Sequence, residues 1–148
     1  VGEGEGLGAT LNVALPAGAT GDVYRRAVAD VVQPVVERFA PTWVLISAGF
    51  DGHRADPLTD LGLTSADYAD LIAEILPFAP PGRRLLFLEG GYDLRALADS
   101  AAAVAGMILD HEIRPEEPSA GGPGDDHVEL ARKIHLERGA DGEYPTPS

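Results

Sequence analysis

Two short apolar runs, each ending abruptly in a polar loop that contains glycine, constrain the fold of this chain most strongly. The first run covers residues 43–47 and is closely followed by Asp51. The second covers residues 85–88 and leads into the segment 89–92, Glu-Gly-Gly-Tyr. Neither run alternates between apolar and polar residues, which predicts strands covered on both faces of a sheet. Ligands of α/β proteins bind in the loops beyond the carboxyl ends of such strands, so function is expected in these two loops. Neighbouring parallel strands end at the same edge, so Asp51 and Tyr92 are expected to face one crevice.

Helical patterns alternate with these runs. Apolar residues recur at helical spacing in three segments, which predicts three helices. The first covers about residues 22–39, the second begins after an N-cap signal at Thr64, and the third covers about 94–109. Pro34 lies inside the first helix and should kink it, because it removes a hydrogen bond and clashes one turn back. Residues 11–15 are interpreted as a further short strand. The pattern predicts an α/β fold in three layers, with a parallel sheet and helices on both faces.

The composition changes near residue 110, which predicts a boundary between two parts. Residues 1–110 carry the strands and helices, whereas 111–148 form a linker rich in proline and glycine and a charged, partly flexible tail. Apolar residues on one side of the segment 125–138 predict a short helix there. His127 and His135 lie in this charged segment and are expected at the surface.

Charge and composition exclude several classes of function. The chain has 148 residues, no cysteine and a net charge of -13, with 11 basic and 24 acidic side chains. Thiolate metal sites are excluded, which leaves carboxylate and imidazole as ligands, and direct nucleic-acid binding is disfavoured. No apolar run approaches the ~20 residues of a membrane span, so a cytoplasmic protein without a membrane partner is expected. The acidity indicates either solubility or attraction of cationic substrates such as polyamines or lysine-rich segments.

Several side chains in the two loops are candidates for chemistry, each with a plainer alternative. Asp51 directly after a strand suits a metal ligand or a catalytic acid, but such residues also cap helices or brace loops. Tyr92 is a donor or simply an amphipathic residue with a packed ring. His53 forms a superficial Asp-x-His pair with Asp51, yet a solvated loop histidine is expected. Asp56 and Arg54 are expected to brace the loop as a weak, partly exposed pair.

Three segments in order resemble motifs of the histone deacetylase family, in its bacterial deacetylase-like and acetylpolyamine amidohydrolase branch. They are NVALPAG at 12–18, SAGFDGHRADPLTDLGLT at 47–64 and LEGGYDL at 88–94, and together they span about residues 8–109. The family's domain is longer, and its adjacent histidines and its own Asp-x-His ligand pair have no counterpart in this sequence. The chain therefore resembles the C-terminal portion of such a domain.

The resemblance implies an arginase/deacetylase-like fold and zinc-dependent hydrolysis of an acetylated amine, either an acetyl-lysine or an acetylpolyamine. Asp51 would be one Zn²⁺ ligand, and Tyr92 would be the catalytic donor to the substrate carbonyl. The turn before Tyr92 would aim its phenol. The residues implied at the substrate channel are Pro57, Leu58, Gly90 and Gly91.

Other interpretations stay open at this point. Asp93 departs from the Asn that often follows the family's tyrosine, which puts the electrostatics of the site in doubt. A catalytically incomplete remnant, or an acidic α/β module that binds a basic partner, is the alternative to an enzyme. A homo-oligomer is also left open. Because one carboxylate cannot hold zinc in a three-ligand catalytic geometry, the chain alone is expected to be inactive.

Overall fold

The two apolar runs form a parallel pair of strands. The computed structural model describes residues 2–6 and 8–137. Strand β1 (Val44–Ala48) pairs in parallel with β2 (Arg84–Leu88), with Val44 opposite Arg84 and Ala48 opposite Leu88. Helix α3 (Ser65–Ile75) lies in the connection, as parallel strands require a crossover. Since the strands end in register, the loops that follow them leave the same edge of the sheet.

One face of this sheet is covered by helices. Ile46, Ala48 and Leu86 pack into a core that contains side chains of α3 and α4 (Leu94–Ile108). On the opposite face Leu45 is 65% exposed and Phe87 49% exposed. The sequence predicted strands covered on both faces, whereas within residues 2–6 and 8–137 helices cover only one of them.

The predicted long helix over 22–39 is three consecutive helical segments. They are α1 (Gly21–Ala27), a π-helical segment (Val28–Val32) and α2 (Gln33–Phe39). The Gln33 N–H bonds the carbonyl of Val28, five residues earlier. Pro34 lacks an N–H, and its ring crowds the carbonyl four residues back. The wide turn directly before Pro34 accommodates both effects.

The strand predicted at residues 11–15 is wrong. The segment alternates between half-buried and exposed side chains but belongs to no sheet in the part of the chain that the structure describes. Leu11, Val13 and Leu15 instead pack on a second core, formed by α1, the π-helical segment and α5 (Asp125–Arg132). The alternation correctly indicated that one side of the segment is buried. That side, however, packs against helices and not against a neighbouring strand.

The charged tail is more ordered than its composition indicates. Helix α5 begins at Asp125 and passes into a π-helical turn (Lys133–Glu137), which confirms the predicted helix; residue 138 and the rest of the tail lie outside the described residues. His127 lies at the surface, as predicted, with 42% of its side chain exposed. His135 is only 6% exposed, and its Nε2 lies 3.1 Å from the carbonyl oxygen of Asn12. Its predicted surface position is therefore wrong, because the segment before α1 folds over it.

The segment between α4 and α5 has no regular secondary structure, but hydrogen bonds attach it to the start of α3 and to the residue before α1. Ser119 donates its hydroxyl to the buried Asp67 carboxylate at 2.6 Å, and the Gly122 N–H donates to Thr20 Oγ1 at 2.8 Å. Asp67 also accepts the Thr64 N–H at 2.8 Å and completes the predicted cap of α3. The boundary near residue 110 stays a prediction.

None of the helices described here combines the length and apolar character needed to span a bilayer.

Candidate functional site

The loops after β1 and β2 lie side by side at the carboxyl edge of the sheet. The Glu89 N–H donates to the Ala48 carbonyl at 3.1 Å, and the Phe50 N–H donates to the Gly90 carbonyl at 2.9 Å. The parallel pairing therefore continues one step into the loops. It brings Asp51 next to the turn that precedes Tyr92, as the sequence predicted.

The Asp51 carboxylate occupies space that two glycines leave open. A Cβ atom on Gly90 would lie 2.6 Å from Asp51 Oδ1, and one on Gly49 would lie 2.8 Å from the same oxygen. Thr59 donates its hydroxyl to the backbone carbonyl of Asp51 at 2.5 Å. No residue within the described ranges donates a hydrogen bond to the Asp51 carboxylate. Its oxygens cap no helix here and are free to bind a cation.

Tyr92 presents its side chain to solvent while its backbone is held. The residue is 59% exposed, so its ring is not packed in a core. Its backbone N–H donates to Asp56 Oδ2 at 2.6 Å. Gly91 directly before it has φ +132°, a conformation that side-chain-bearing residues rarely adopt. A residue with a side chain would therefore be strained at position 91, and the role of this turn in aiming Tyr92 stays a prediction.

Asp56 has partners that the sequence did not predict. The expected pair with Arg54 is wrong, because Arg54 bonds Glu116 instead, at 2.8 Å. Asp56 is only 6% exposed, and its carboxylate accepts three backbone N–H groups, those of Leu58 (2.9 Å), Tyr92 (2.6 Å) and Asp93 (3.4 Å). Burial opposes its ionisation, but these hydrogen bonds hold the pKa of the Asp56 carboxyl below its usual range.

His53 is buried, not solvated, so its predicted environment is wrong. It is 4% exposed, and its Nε2 lies 2.7 Å from Glu116 Oε2. The Ala55 N–H donates to His53 Nδ1 at 3.1 Å, so the hydrogen-bond pattern assigns the proton to Nε2, which donates to Glu116. Both ring nitrogens are occupied by these bonds. These bonds tie His53 to the loop, and the expectation that it forms no ligand pair with Asp51 stays a prediction.

Glu116 joins the segment after α4 to the Asp51 loop and to the start of α3. It accepts from His53, from Arg54 and, at 2.9 Å, from the Ser65 N–H. Burial raises the pKa of Glu116, but these hydrogen bonds outweigh it and lower the pKa to about 2. The group lies 63 residues from His53 in the sequence, and no local pattern indicates the contact.

We expect Glu116→Gln to lower the free energy of unfolding by about 1–2 kcal/mol at pH 7, because hydrogen bonds to a charged acceptor are lost. The folded-state pKa of Glu116 lies below its ordinary value of 4.5, so its contribution is complete above about pH 5 and is lost as the pH falls towards 2. Urea unfolding from pH 7 to pH 2.5 measures this. The wild-type advantage should shrink with acid, and the exposed neighbour Glu117, changed to Gln, should show no such difference. An advantage that stays constant with pH would contradict the assignment.

The residues predicted at the substrate channel lie in the same two loops. Pro57 and Leu58 are exposed, with Leu58 at 65%, and the Leu58 N–H is tied to the carboxylate that also holds Tyr92. Gly90 and Gly91 are partly exposed beside Asp51 and Tyr92. Their role in a channel stays a prediction.

Asp93, which stands where the family often has Asn, caps a helix, and an Asn could do the same. Its Oδ1 accepts the N–H groups of Arg95 (3.1 Å) and Ala96 (2.8 Å), so it caps α4. A carboxylate is favoured at a helix N-terminus, because the helix dipole is positive there. An Asn carbonyl would accept the same bonds without the charge.

Tyr68 is a neighbour of the site that the sequence did not reveal. Its ring packs edge-on against Phe50, with centroids 5.0 Å apart. The hydroxyl is buried without a hydrogen-bond partner in the part of the chain that the structure describes. Burial and then the charge of Asp51 raise the pKa of Tyr68. The helical stripe correctly predicted a packed ring, but not a hydroxyl beside the Asp51 loop.

The described residues contain one candidate metal ligand, Asp51, but no group of side chains that could hold a metal ion. Among residues 2–6 and 8–137, no three His, Cys, Asp or Glu side chains lie close enough together to hold a metal ion. The Asp51 carboxylate accepts no hydrogen bond from residues 2–6 and 8–137, and it fits one oxygen ligand of Zn²⁺. Catalytic zinc sites use three protein ligands, so this part of the chain does not form one alone.

Comparisons with known proteins agree with the geometry. Residues 1–108 match the model of the histone deacetylase domain. Histone deacetylase 10, chloroplastic, of Oryza sativa subsp. japonica is 39% identical over 141 residues, covering 90% of this chain and 30% of that protein. A probable deacetylase of Archaeoglobus fulgidus is 36% identical over 123 residues, covering 78% and 34%. The crystal structure of the HDA15 HD domain superposes with a TM-score of 0.74 at 33% identity, covering 93% of this chain and 36% of that one.

This chain belongs to the histone deacetylase family, and its parallel sheet with packed helices is part of the arginase/deacetylase fold. The resemblance found in the three motifs is thereby confirmed. The chain spans only 25–34% of the length of the first three curated relatives it matches.

Proposed function

We propose that this chain supplies the Asp51 and Tyr92 part of a zinc-dependent deacetylase site, which hydrolyses the amide bond of an acetylated amine. One observation carries the proposal: a carboxylate without hydrogen-bond partners in the described residues and an exposed phenol stand on adjacent loops of one sheet edge. The two loops are joined by the Phe50–Gly90 bond and by the Asp56–Tyr92 bond. Membership of a family whose relatives are named as deacetylases supports it.

Each residue has a distinct task in the proposed reaction. Zinc, when bound, polarises the substrate carbonyl and lowers the pKa of a water molecule. Asp51 would hold it as one of three protein ligands. Tyr92 would donate its phenol proton in a hydrogen bond to the carbonyl oxygen, and this bond strengthens as negative charge develops there. The remaining ligands and the general base would come from outside the described residues.

The proposed substrate is an acetyl-lysine or an acetylpolyamine. Pro57 and Leu58 offer exposed apolar surface beside the site, suited to the methylene chain of such a substrate. The net charge of -13 favours the approach of cationic molecules. A cytoplasmic location remains part of the proposal.

A non-catalytic role is the second candidate, and one observation favours it. The outer face of the sheet exposes Leu45, Leu85 and Phe87, each at least 46% exposed, which is surface suited to a partner. In this reading the chain binds through that face, and Asp51 and Tyr92 take part in no chemistry.

We expect the 148-residue chain alone to show no deacetylation of an acetyl-lysine reporter. A completed domain is the full 148-residue chain, which retains Glu116 and α5, joined to the preceding part of a deacetylase domain, such as that of the Archaeoglobus fulgidus relative. It should deacetylate the reporter, lose activity with a chelator and regain it with Zn²⁺. Chelator-sensitive turnover by the chain alone would contradict the incomplete site. A folded completed domain without turnover would favour the non-catalytic candidate.

A further inference from the structure

The Asp56 carboxylate bridges the two loops of the candidate site. Its Oδ1 accepts the Leu58 N–H at 2.9 Å, and its Oδ2 accepts the Tyr92 N–H at 2.6 Å. We propose that Asp56 is a positioning residue of the deacetylation reaction, which fixes the backbone of Tyr92 and thereby the direction of its phenol. The inference rests on the proposed function and extends it to a residue that touches neither metal nor substrate.

Tyr92 needs such a constraint because of its surroundings. The residue is 59% exposed, so packing does not hold its ring. Gly91 before it has φ +132°, and glycine permits a wide range of backbone angles. The hydrogen bond from the Tyr92 N–H to Asp56 restricts this turn directly at Tyr92, whereas the bond from the Phe50 N–H holds it at the Gly90 carbonyl.

Asp56 is itself held firmly. Its own N–H donates to the His53 carbonyl at 2.8 Å, and the Arg54 N–H donates to Leu63 at 2.8 Å, which closes the loop. Pro57 follows and restricts the backbone angles of Asp56. The His53 ring is anchored to Glu116 at 2.7 Å. A firmly held carboxylate can thus fix the position of the turn before Tyr92.

A carboxylate suits this position better than any other side chain of its size. Three N–H groups converge on it from two directions, so both oxygens are used as acceptors. An Asn would present an amide donor to one of these N–H groups, and an Ala would leave all three without a partner.

The first test is local and needs no catalytic activity. In the 148-residue chain, amide hydrogen exchange followed by NMR should show the Tyr92 N–H protected by about tenfold or more relative to an unbonded amide. Asp56→Ala should abolish this protection. Asp60→Ala changes an exposed carboxylate of the same loop and should leave it intact. An unprotected Tyr92 amide in the wild-type chain, which requires no variant to fold, would overturn the proposal.

The second test asks whether Asp56 acts through the phenol. In the completed domain, Asp56→Ala should lower kcat by about 10–100-fold with zinc content unchanged, since small misplacements of a reacting group have effects of this size. In a Tyr92→Phe background the same substitution should lower kcat by less than about threefold, because the two residues act as a unit. Equal losses in both backgrounds would overturn the proposal.

The two tests separate this inference from the function on which it rests. Absence of activity in a folded completed domain would refute the proposed function, and amide exchange would still decide whether Asp56 holds Tyr92. Activity in the completed domain together with an unprotected Tyr92 amide would refute the positioning role alone.

Discussion

Asp51→Ala in the completed domain is expected to remove both bound zinc and activity. The Asp51 carboxylate has no hydrogen-bond donor among the described residues, so its loss should disturb the fold little. Loss of a residue that only hydrogen-bonds a metal ligand weakens metal affinity by up to ~100-fold. Loss of a ligand itself should therefore weaken zinc binding by at least ~100-fold. The zinc content measured by metal analysis and the value of kcat/KM should fall together, and kcat/KM should be lower by at least about 10³-fold.

Two companion variants sharpen this test. Asp60→Ala removes an exposed carboxylate from the same loop and should keep zinc and activity. Gly90→Ala leaves Asp51 in the chain but places a Cβ 2.6 Å from its Oδ1, so the carboxylate must move and zinc affinity should fall. Full zinc occupancy in the Asp51→Ala variant would show that Asp51 is not a ligand.

Tyr92→Phe in the completed domain is expected to lower kcat by roughly 10²–10³-fold, the usual effect of losing one donor to a developing oxyanion. KM should change less than kcat, because the lost bond strengthens in the transition state. Steady-state kinetics with an acetyl-lysine reporter measures both quantities.

The phenylalanine variant carries its own controls. Tyr92 is 59% exposed, so removal of its hydroxyl should leave the melting temperature and the zinc content unchanged. A near-normal kcat would show that the Tyr92 hydroxyl takes no part in the reaction. A loss of zinc would show that the substitution acts on the loop and not through the hydroxyl.

The architecture around the site could be predicted because its signals are local. Apolar runs ending in glycine-rich loops marked both strands, and Thr64 with Asp67 marked the start of α3 by a capping pattern that the structure contains. Parallel strands that end in register bring their loops together, so the proximity of Asp51 to the turn before Tyr92 followed from topology.

The contacts that hold the site could not be predicted, because they join residues far apart in the chain. Asp56 bonds Tyr92 across 36 positions, and His53 bonds Glu116 across 63. Buried histidines such as His53 and His135 look like solvated ones in a charged sequence until their partners are known. The particular tasks of Asp51 and Tyr92 came from the resemblance to a family, since an aspartate after a strand has several common uses.

The segment at residues 11–15 shows a different limit. Alternating apolar residues indicate one buried side, but they do not say whether a strand or a helix lies against it. Here Val13 and its neighbours pack on helices α1 and α5. Secondary structure was mistaken at this segment because pairing depends on what the rest of the chain places beside it.

The position of zinc in the completed domain tests the central claim most directly. Anomalous diffraction at the zinc edge should show one peak about 2.0–2.2 Å from an Asp51 carboxylate oxygen, the usual length of such a bond. The Tyr92 hydroxyl should face the open coordination position from the adjacent loop. Zinc bound away from Asp51, or a Tyr92 hydroxyl turned away from the metal in a structure with bound substrate analogue, would contradict the account.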